Sequence, residues 1–260
     1  MELELIEYPY KDQKLSFTLK EKEINGISGS HLEEIVEIIK RDFRHRKINH
    51  KHIKEEDWKE IKNKIIVVKE WLEDTIHEDS LYDVMIEYMK VHEIYPRNLK
   101  KKIKDSLRIV GLPDTLLDRN IYSLSTSEQK LVQMAMSLLS NPEMMILEEP
   151  FKVLDLKNRK KIMMVLRKIK DQYKKTIVLV SNEEEMLLKE TDHLIIFKNN
   201  RVLIEDKTLD AYRRVEFLKK HKVEVPKIIE FSYLVQKNKK VKIDYHKDIR
   251  DIIKDIYKHV

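Results

Sequence analysis

Residues 24–39 read INGISGSHLEEIVEII. Gly26, Gly29 and Ser30 stand at the spacing of a phosphate-binding loop. There glycines let backbone N–H groups approach oxygens, and the N-terminus of the following helix adds its dipole. Leu32 and Glu33 occupy the positions where such a loop carries Lys and then Ser or Thr. Leucine brings no charge, and glutamate repels an anion. The same stretch therefore also reads as a plain strand-to-helix turn in which Glu33 and Glu34 favour the helix dipole. Further along, Met144–Pro150 (MMILEEP) is an apolar run ending in the adjacent carboxylates Glu148 and Glu149. Leu124–Gln129 (LSTSEQ) sets Ser125 where a helix cap belongs.

The surrounding elements follow from periodicity. Residues 2–8 and 15–19 alternate apolar and polar, as antiparallel strands do. Residues 33–43 form an amphipathic helix, acidic early and basic late. Residues 44–62 (RHRKINHKHIKEEDWKEIK) are polar and basic and read as a surface connection. Lys64–Val68 is a short buried strand. Helices are expected over 81–92 and 98–110, split by Pro96, and from the Ser125 cap to about Ser140, where Asn141-Pro142 stops the chain. A strand over Met144–Leu147, a helix over 156–172, a strand over Thr176–Val180 and an acidic helix over Glu183–Glu190 come next. His193–Phe197 and Arg201–Glu205 then pair across Asn199-Asn200. Short apolar strands alternating with helices imply a mainly parallel sheet covered on both faces. The last 45 or so residues are mixed and end in an amphipathic helix from about Lys247.

The 260 residues suffice for one large α/β domain or two small ones. With 52 Lys+Arg against 46 Asp+Glu, the charges nearly cancel to +6. That balance fits a solvated Lys/Glu surface. A basic face for nucleic acid or anionic lipid is the alternative, with no strong nucleic-acid signal. The absence of cysteine excludes disulfides, thiolate metal sites and cysteine nucleophiles. The N-terminus MELELIEYPYK has no signal-peptide pattern, and runs such as Thr176–Val180 fall far short of the roughly 18 residues of a membrane span. Three glycines are present, where average usage of about 7% would give roughly 18.

Taken in order, LSTSEQ, MMILEEP, VLD at Val153–Asp155 and IVLVSN at Ile177–Asn182 resemble the signature, Walker B strand, D-loop and switch strand of ATP-binding subunits of ABC transporters. VGLPDTLLDRNIYSLS at Val110–Ser125 and VEVPKIIEFSYLVQKN at Val223–Asn238 are similar to the energy-coupling-factor type of that family, importers of vitamins and metal ions. The resemblance implies an α/β fold of the P-loop NTPase kind, with a mainly parallel sheet and an N-terminal antiparallel β portion. It also implies an inserted α-helical subdomain at about 70–140. The whole of 1–260 is then one ABC-type domain with a C-terminal extension over about 208–260.

The resemblance also assigns roles. Glu149 matches the general base and Glu148 the Mg²⁺ contact, one methylene longer than the usual Asp. Asn182 falls at the switch histidine, Glu70 at the Q-loop glutamine, and Tyr10 at the aromatic that stacks on adenine. Gly26, Gly29 and Ser30 belong to the phosphate loop. Ser125 matches the hydroxyl offered to a partner's γ-phosphate, and Asp155 the D-loop acid. Asn can hydrogen-bond but cannot take up a proton or a charge. Each residue also has a plainer reading: strand tyrosine for Tyr10, helix cap for Ser125, strand-end carboxylates for the Glu pair. With the loop Lys, the Mg²⁺ hydroxyl, the Q-loop Gln and the switch His all replaced, the expectation is a degenerate subunit in which ATP and Mg²⁺ bind weakly or not at all. It would be the non-catalytic partner of an active ATP-binding subunit, docked to a transmembrane coupling subunit at the cytoplasmic face of the membrane. The alternatives are a soluble regulatory or scaffold protein reusing the fold, with nucleic acid as a partner for 40–62 and 234–242, and a weak ATP-binding subunit.

Overall fold

The alternating N-terminal pattern folds as two antiparallel strands, β1 (Leu3–Tyr10) and β2 (Gln13–Leu19), with Leu3, Leu5, Leu15, Phe17 and Leu19 on the buried side. The computed structural model describes residues 1–41, 43–69, 80–152, 154–239 and 244–258. β3 (Ile24–Gly29) leads into α1 (Leu32–Arg41), which buries Ile35, Val36, Ile38 and Ile39. Glu33 and Glu34 in its first turn and Lys40 and Arg41 in its last suit the helix dipole.

The expectation for 44–62 is corrected. Instead of a surface connection, the chain forms β4 (Arg46–Ile48), β5 (Lys51–His52) and α2 (Glu55–Asn63). β4 adds to β1 in the register Leu3↔Ile48, Glu4↔Lys47, Leu5↔Arg46. A two-residue turn at Asn49 and His50, both at positive φ, returns the chain into β5. The burial here is carried by residues that polarity hides. Arg46 is only 1% exposed; its guanidinium donates to the carbonyls of Arg44 (2.9 Å) and Ile38 and lies over the rings of Trp58 (5.2 Å) and Tyr8 (5.7 Å). An arginine stem and a guanidinium stacked on aromatics fill core space as leucine would, yet read as charge in a sequence.

The remaining elements are β6 (Ile65–Val68), α3 (Leu81–Val91), α4 (Leu99–Ile109), two 3₁₀ turns over 114–118 and 121–123, α5 (Thr126–Leu139), β7 (Met144–Glu148), α6 (Leu156–Tyr173), β8 (Thr176–Val180), α7 (Glu184–Glu190), β9 (His193–Lys198) and β10 (Arg201–Lys207). The mixed C-terminal stretch resolves into α8 (Thr208–Arg213), α9 (Val215–Lys220), α10 (Lys227–Lys239) and α11 (Ile249–Lys258). Among the described residues there are two sheets. One is antiparallel, in the order β2-β1-β4-β5; the other has six strands, β10-β9-β3-β8-β7-β6, parallel from β9 to β6 with β10 antiparallel at the edge.

Successive strand residues serve opposite faces. Met145, Leu147, Ile177, Leu179, Leu194 and Ile196 join the core formed with α3 to α7, whereas Met144, Ile146, Val178, Val180, Ile195 and Phe197 face α1 and the antiparallel sheet. This two-sided burial is why the parallel strands read as unbroken apolar runs. No helix among the described residues is long and apolar enough to cross a membrane.

Candidate functional site

In an open parallel sheet, the carboxyl ends of the strands gather the residues able to meet a ligand. Here β3, β8 and β7 are neighbours, so the end of Gly26–Gly29, the end of IVLVSN and the Glu148-Glu149 pair converge. The stretch after Gly26 is not a loop. Pairing between β3 and β9 continues through Ser28↔Ile196 and Gly29↔Phe197, and Ser30 N donates to Phe197 O (3.2 Å). The turn is thereby limited to Ser30 and His31, which corrects the expectation that the whole of Gly26–Ser30 makes it. The cause is β9, whose backbone offers partners that a strand can take and a loop would forgo.

The two glycines serve different ends. Gly26 is inside β3, and a Cβ there would stand 3.0–3.1 Å from the side chains of Leu194, Leu187 and Thr191. Its absence lets α7 pack close to the sheet. Gly29 has φ +120°, and a Cβ would lie 1.9 Å from Phe197 O. No other residue fits that position.

Asn182 closes over this turn. Its Oδ1 accepts from Gly29 N (2.7 Å) and from Ser28 Oγ (3.0 Å), and its Nδ2 donates to Gly29 O (3.1 Å). Ser181, which the sequence reading passes over, is buried next to it. Its backbone N–H donates to Ile27 O (3.0 Å), and its hydroxyl donates to Glu149 Oε2 (2.8 Å) and accepts from Glu183 N (3.1 Å). The signal for it was a hydroxyl directly after an apolar strand. Glu149 sits at φ +40° with its N–H on Val180 O (2.9 Å), and Glu148 lies opposite Val180 at the end of β7, half-buried. Gly29 with Asn182 and Ser181 with Glu149 thus make two hydrogen-bonded pairs, joined through the Ser181–Asn182 peptide, across three strand ends.

In the first turn of α1 the Glu34 carboxylate is held by three neighbours. Tyr10 Oη donates to Glu34 Oε2 (2.6 Å), Lys11 Nζ lies 3.4 Å from the same oxygen, and His31 Nδ1 is 3.2 Å from Glu34 Oε1. The Tyr10 hydrogen bond holds the Glu34 carboxyl below the usual range, while burial and that same bond push the Tyr10 phenol up. The Tyr10 side chain is buried in the core beneath the antiparallel sheet and is only 8% exposed. Ser125 caps α5 in a capping box with Glu128: Glu128 N donates to Ser125 Oγ, Ser125 N donates to Glu128 Oε2 (2.9 Å), and the hydroxyl itself donates to the same oxygen (2.7 Å). Asp155 caps α6, accepting from Asn158 N (2.8 Å). Glu70 and Val153 lie outside the described residues. Among the described residues, Glu2, Glu4 and His50 bring their ligand atoms within 4.8 Å of one another at the start of β1 and the β4–β5 turn.

Residues 13–152 match the family model described as ABC transporter. An energy-coupling factor transporter ATP-binding protein of Mycoplasma mobile is 28% identical over 207 residues, 78% of this chain and 65% of that protein. A protein of the same description from Clostridium perfringens is 30% identical over 167 residues, 61% of this chain and 57% of that one. The chain therefore spans less than two thirds of either relative. Among solved structures, cbiO1 of Clostridium perfringens, described as part of an ABC transporter complex, shares the fold with a TM-score of 0.71 at 20% identity, covering 88% of this chain and 97% of that one.

Proposed function

The chain belongs to the ABC transporter family, and on that premise we propose that it is a non-catalytic ATP-binding-cassette subunit of an energy-coupling-factor type uptake transporter. Its work would be structural: to pair with a second, active ATP-binding subunit, to dock a transmembrane coupling subunit, and to sit at the cytoplasmic face of the membrane. The observation that carries this reading is the Asn182 amide on Gly29. A phosphate loop works by aiming free N–H groups at an anion. Here the Gly29 N–H is committed to Asn182 and the Ser30 N–H to Phe197 O. Leu32 supplies no charge, and Glu33 and Glu34 put negative charge in the first turn of α1, where a phosphate would be repelled. This donor set does not fit Mg-ATP, and we derive no hydrolytic step through it.

The retained carboxylate supports the same reading. Glu149 has the identity of a general base, but its oxygen is engaged by the Ser181 hydroxyl. Losing a charge stabiliser at such a centre typically costs about 3–4 kcal/mol of transition-state stabilisation. The expected result is no ATP hydrolysis by the purified chain above background, and co-purification with a membrane subunit when it is expressed with its gene neighbours. Hydrolysis that Glu149→Gln abolishes would overturn the assignment. Calorimetry with Mg-ATP separates a subunit that still binds nucleotide from one that does not.

A further inference from the structure

A cluster of ligand-bearing side chains lies at the far end of the antiparallel sheet from the strand-end site. Glu2, just before β1, and Glu4 within it are two residues apart and so share one face of the strand. The β4–β5 turn brings His50 to them. Its Nδ1 lies 2.8 Å from Glu4 Oε1 and 3.4 Å from Glu2 Oε1, and one ligand atom from each of the three residues falls within 4.8 Å of the others. The turn is tied to the strand by its backbone: Glu2 N donates to Asn49 Oδ1 (2.9 Å), and Asn49 N donates to Glu2 O (3.1 Å). His50 has φ +65°, at the place where a two-residue turn of this kind favours glycine. A second observation is independent of the clustering. Glu2 Oε1 is buried and has no hydrogen-bond partner among the described residues; the His50 nitrogen approaches it without closing a bond. Neither carboxylate pairs with a lysine or arginine among the described residues. A carboxylate oxygen left bare in this way is costly and calls for a cation or a donor.

We propose that Glu2, Glu4 and His50 bind one divalent transition-metal cation of the Zn²⁺ class, through Glu2 Oε1, a Glu4 oxygen and His50 Nδ1. Ligands about 2.0–2.1 Å from a tetrahedral Zn²⁺ lie about 3.3 Å apart. The two distances from His50 Nδ1 already bracket that spacing, and the exposed His50 side chain is free to close the rest. His50 coordinates as the neutral ring, with its proton on Nε2. An imidazole nitrogen beside two carboxylates suits a borderline cation, whereas Ca²⁺ and Mg²⁺ take oxygen ligands. Three protein ligands leave one position for water. The ion neutralises both carboxylates, supplies the missing partner of Glu2 Oε1 and staples the β4–β5 turn to the start of β1. The site is separate from the strand-end residues: Glu4 and Tyr10 lie near opposite ends of β1, about 20 Å apart at about 3.3 Å per residue.

The test titrates the tag-free full chain, first stripped of metal with a chelator, with Zn²⁺ by calorimetry. One equivalent should bind and raise the melting temperature, since the ligands converge only in the folded chain. Co²⁺ should bind in its place and give visible ligand-field absorption. His50→Gly removes a ligand while suiting the turn, so the fold is kept. Glu4→Gln keeps the shape of the side chain and removes its charge. Each should weaken Zn²⁺ binding by about tenfold or more, at least what losing an outer-shell partner of a metal ligand costs, and should abolish the Co²⁺ absorption. His52→Gln on β5, outside the cluster, should leave the affinity within about twofold. An unchanged far-UV spectrum verifies the fold of each variant. Equal Zn²⁺ affinity in His50→Gly and the parent chain overturns the proposal. So does failure to bind one equivalent, an equal loss in His52→Gln, or an equal affinity for Ca²⁺ or Mg²⁺.

Discussion

At the scale of single residues, the turn after β3 is held by one peptide and one amide. Gly29 is fixed by contact as well as by φ, since an added Cβ would meet a backbone oxygen that cannot move without displacing β9. Gly29→Ala is therefore expected to destabilise the fold by about 3 kcal/mol or more, combining backbone strain with overpacking. Asn182→Ala removes three hydrogen bonds at an exposed site that water can re-enter. It should cost less, about 1–2 kcal/mol. Urea denaturation of the two variants checks the order, and an Asn182→Ala loss larger than that of Gly29→Ala would contradict it. Asn182→His should not confer hydrolysis, because Leu32 and Glu33 remain. The replaced residues themselves were readable in the sequence. That Asn182 uses its amide on Gly29 was not, because the two lie 153 positions apart.

At the scale of elements, the parallel strands and their helices were legible because burial on both faces writes itself as apolar runs and helical period. The observed α4, α5 and β7 begin and end within a residue or two of the expected bounds. The stretch 44–62 was not legible, for the opposite reason: its core contribution is an arginine held between Tyr8 and Trp58. If α2 is anchored this way, Trp58→Ala should cost about 3 kcal/mol or more, as large-to-small changes at buried aromatics do. Trp58→Phe, which keeps a ring against Arg46, should cost about half as much or less. Thermal denaturation distinguishes the two, and equal effects would argue that Arg46 is held by its carbonyl bonds alone. Tyr10 ends β1, two residues beyond the expected strand, and its hydroxyl partner Glu34 comes from another element.

At the scale of the whole molecule, the central sheet carries a buried histidine whose titration should set acid stability. His193 begins β9, is 5% exposed, and has a ring Nδ1 without a hydrogen-bond partner among the described residues. Burial, reinforced by Lys20 and opposed by Asp206, lowers its pKa from 6.5 to about 4. Between those two values the unfolded chain takes up a proton that the folded chain refuses, so stability should fall as pH drops from about 6.5 towards 4. The full effect is about 3 kcal/mol at 1.36 kcal/mol per pKa unit, and His193→Leu should flatten that part of the stability–pH curve. A curve unchanged by the substitution would place the acid sensitivity elsewhere. The sequence by itself determined the order and kind of the elements outside 44–62 and the C-terminal stretch, and the family resemblance, together with the missing Lys and hydroxyl of the loop, because periodicity and motif spacing are local properties of a chain. Only the tertiary structure decided that the loop had become strand, that Asn182 occupies the Gly29 N–H an anion would use, and that Tyr10 and Lys11 hold the Glu34 carboxylate at the start of α1. Those outcomes depend on which strands and helices lie side by side, and the burial that places them is a property of the packed whole.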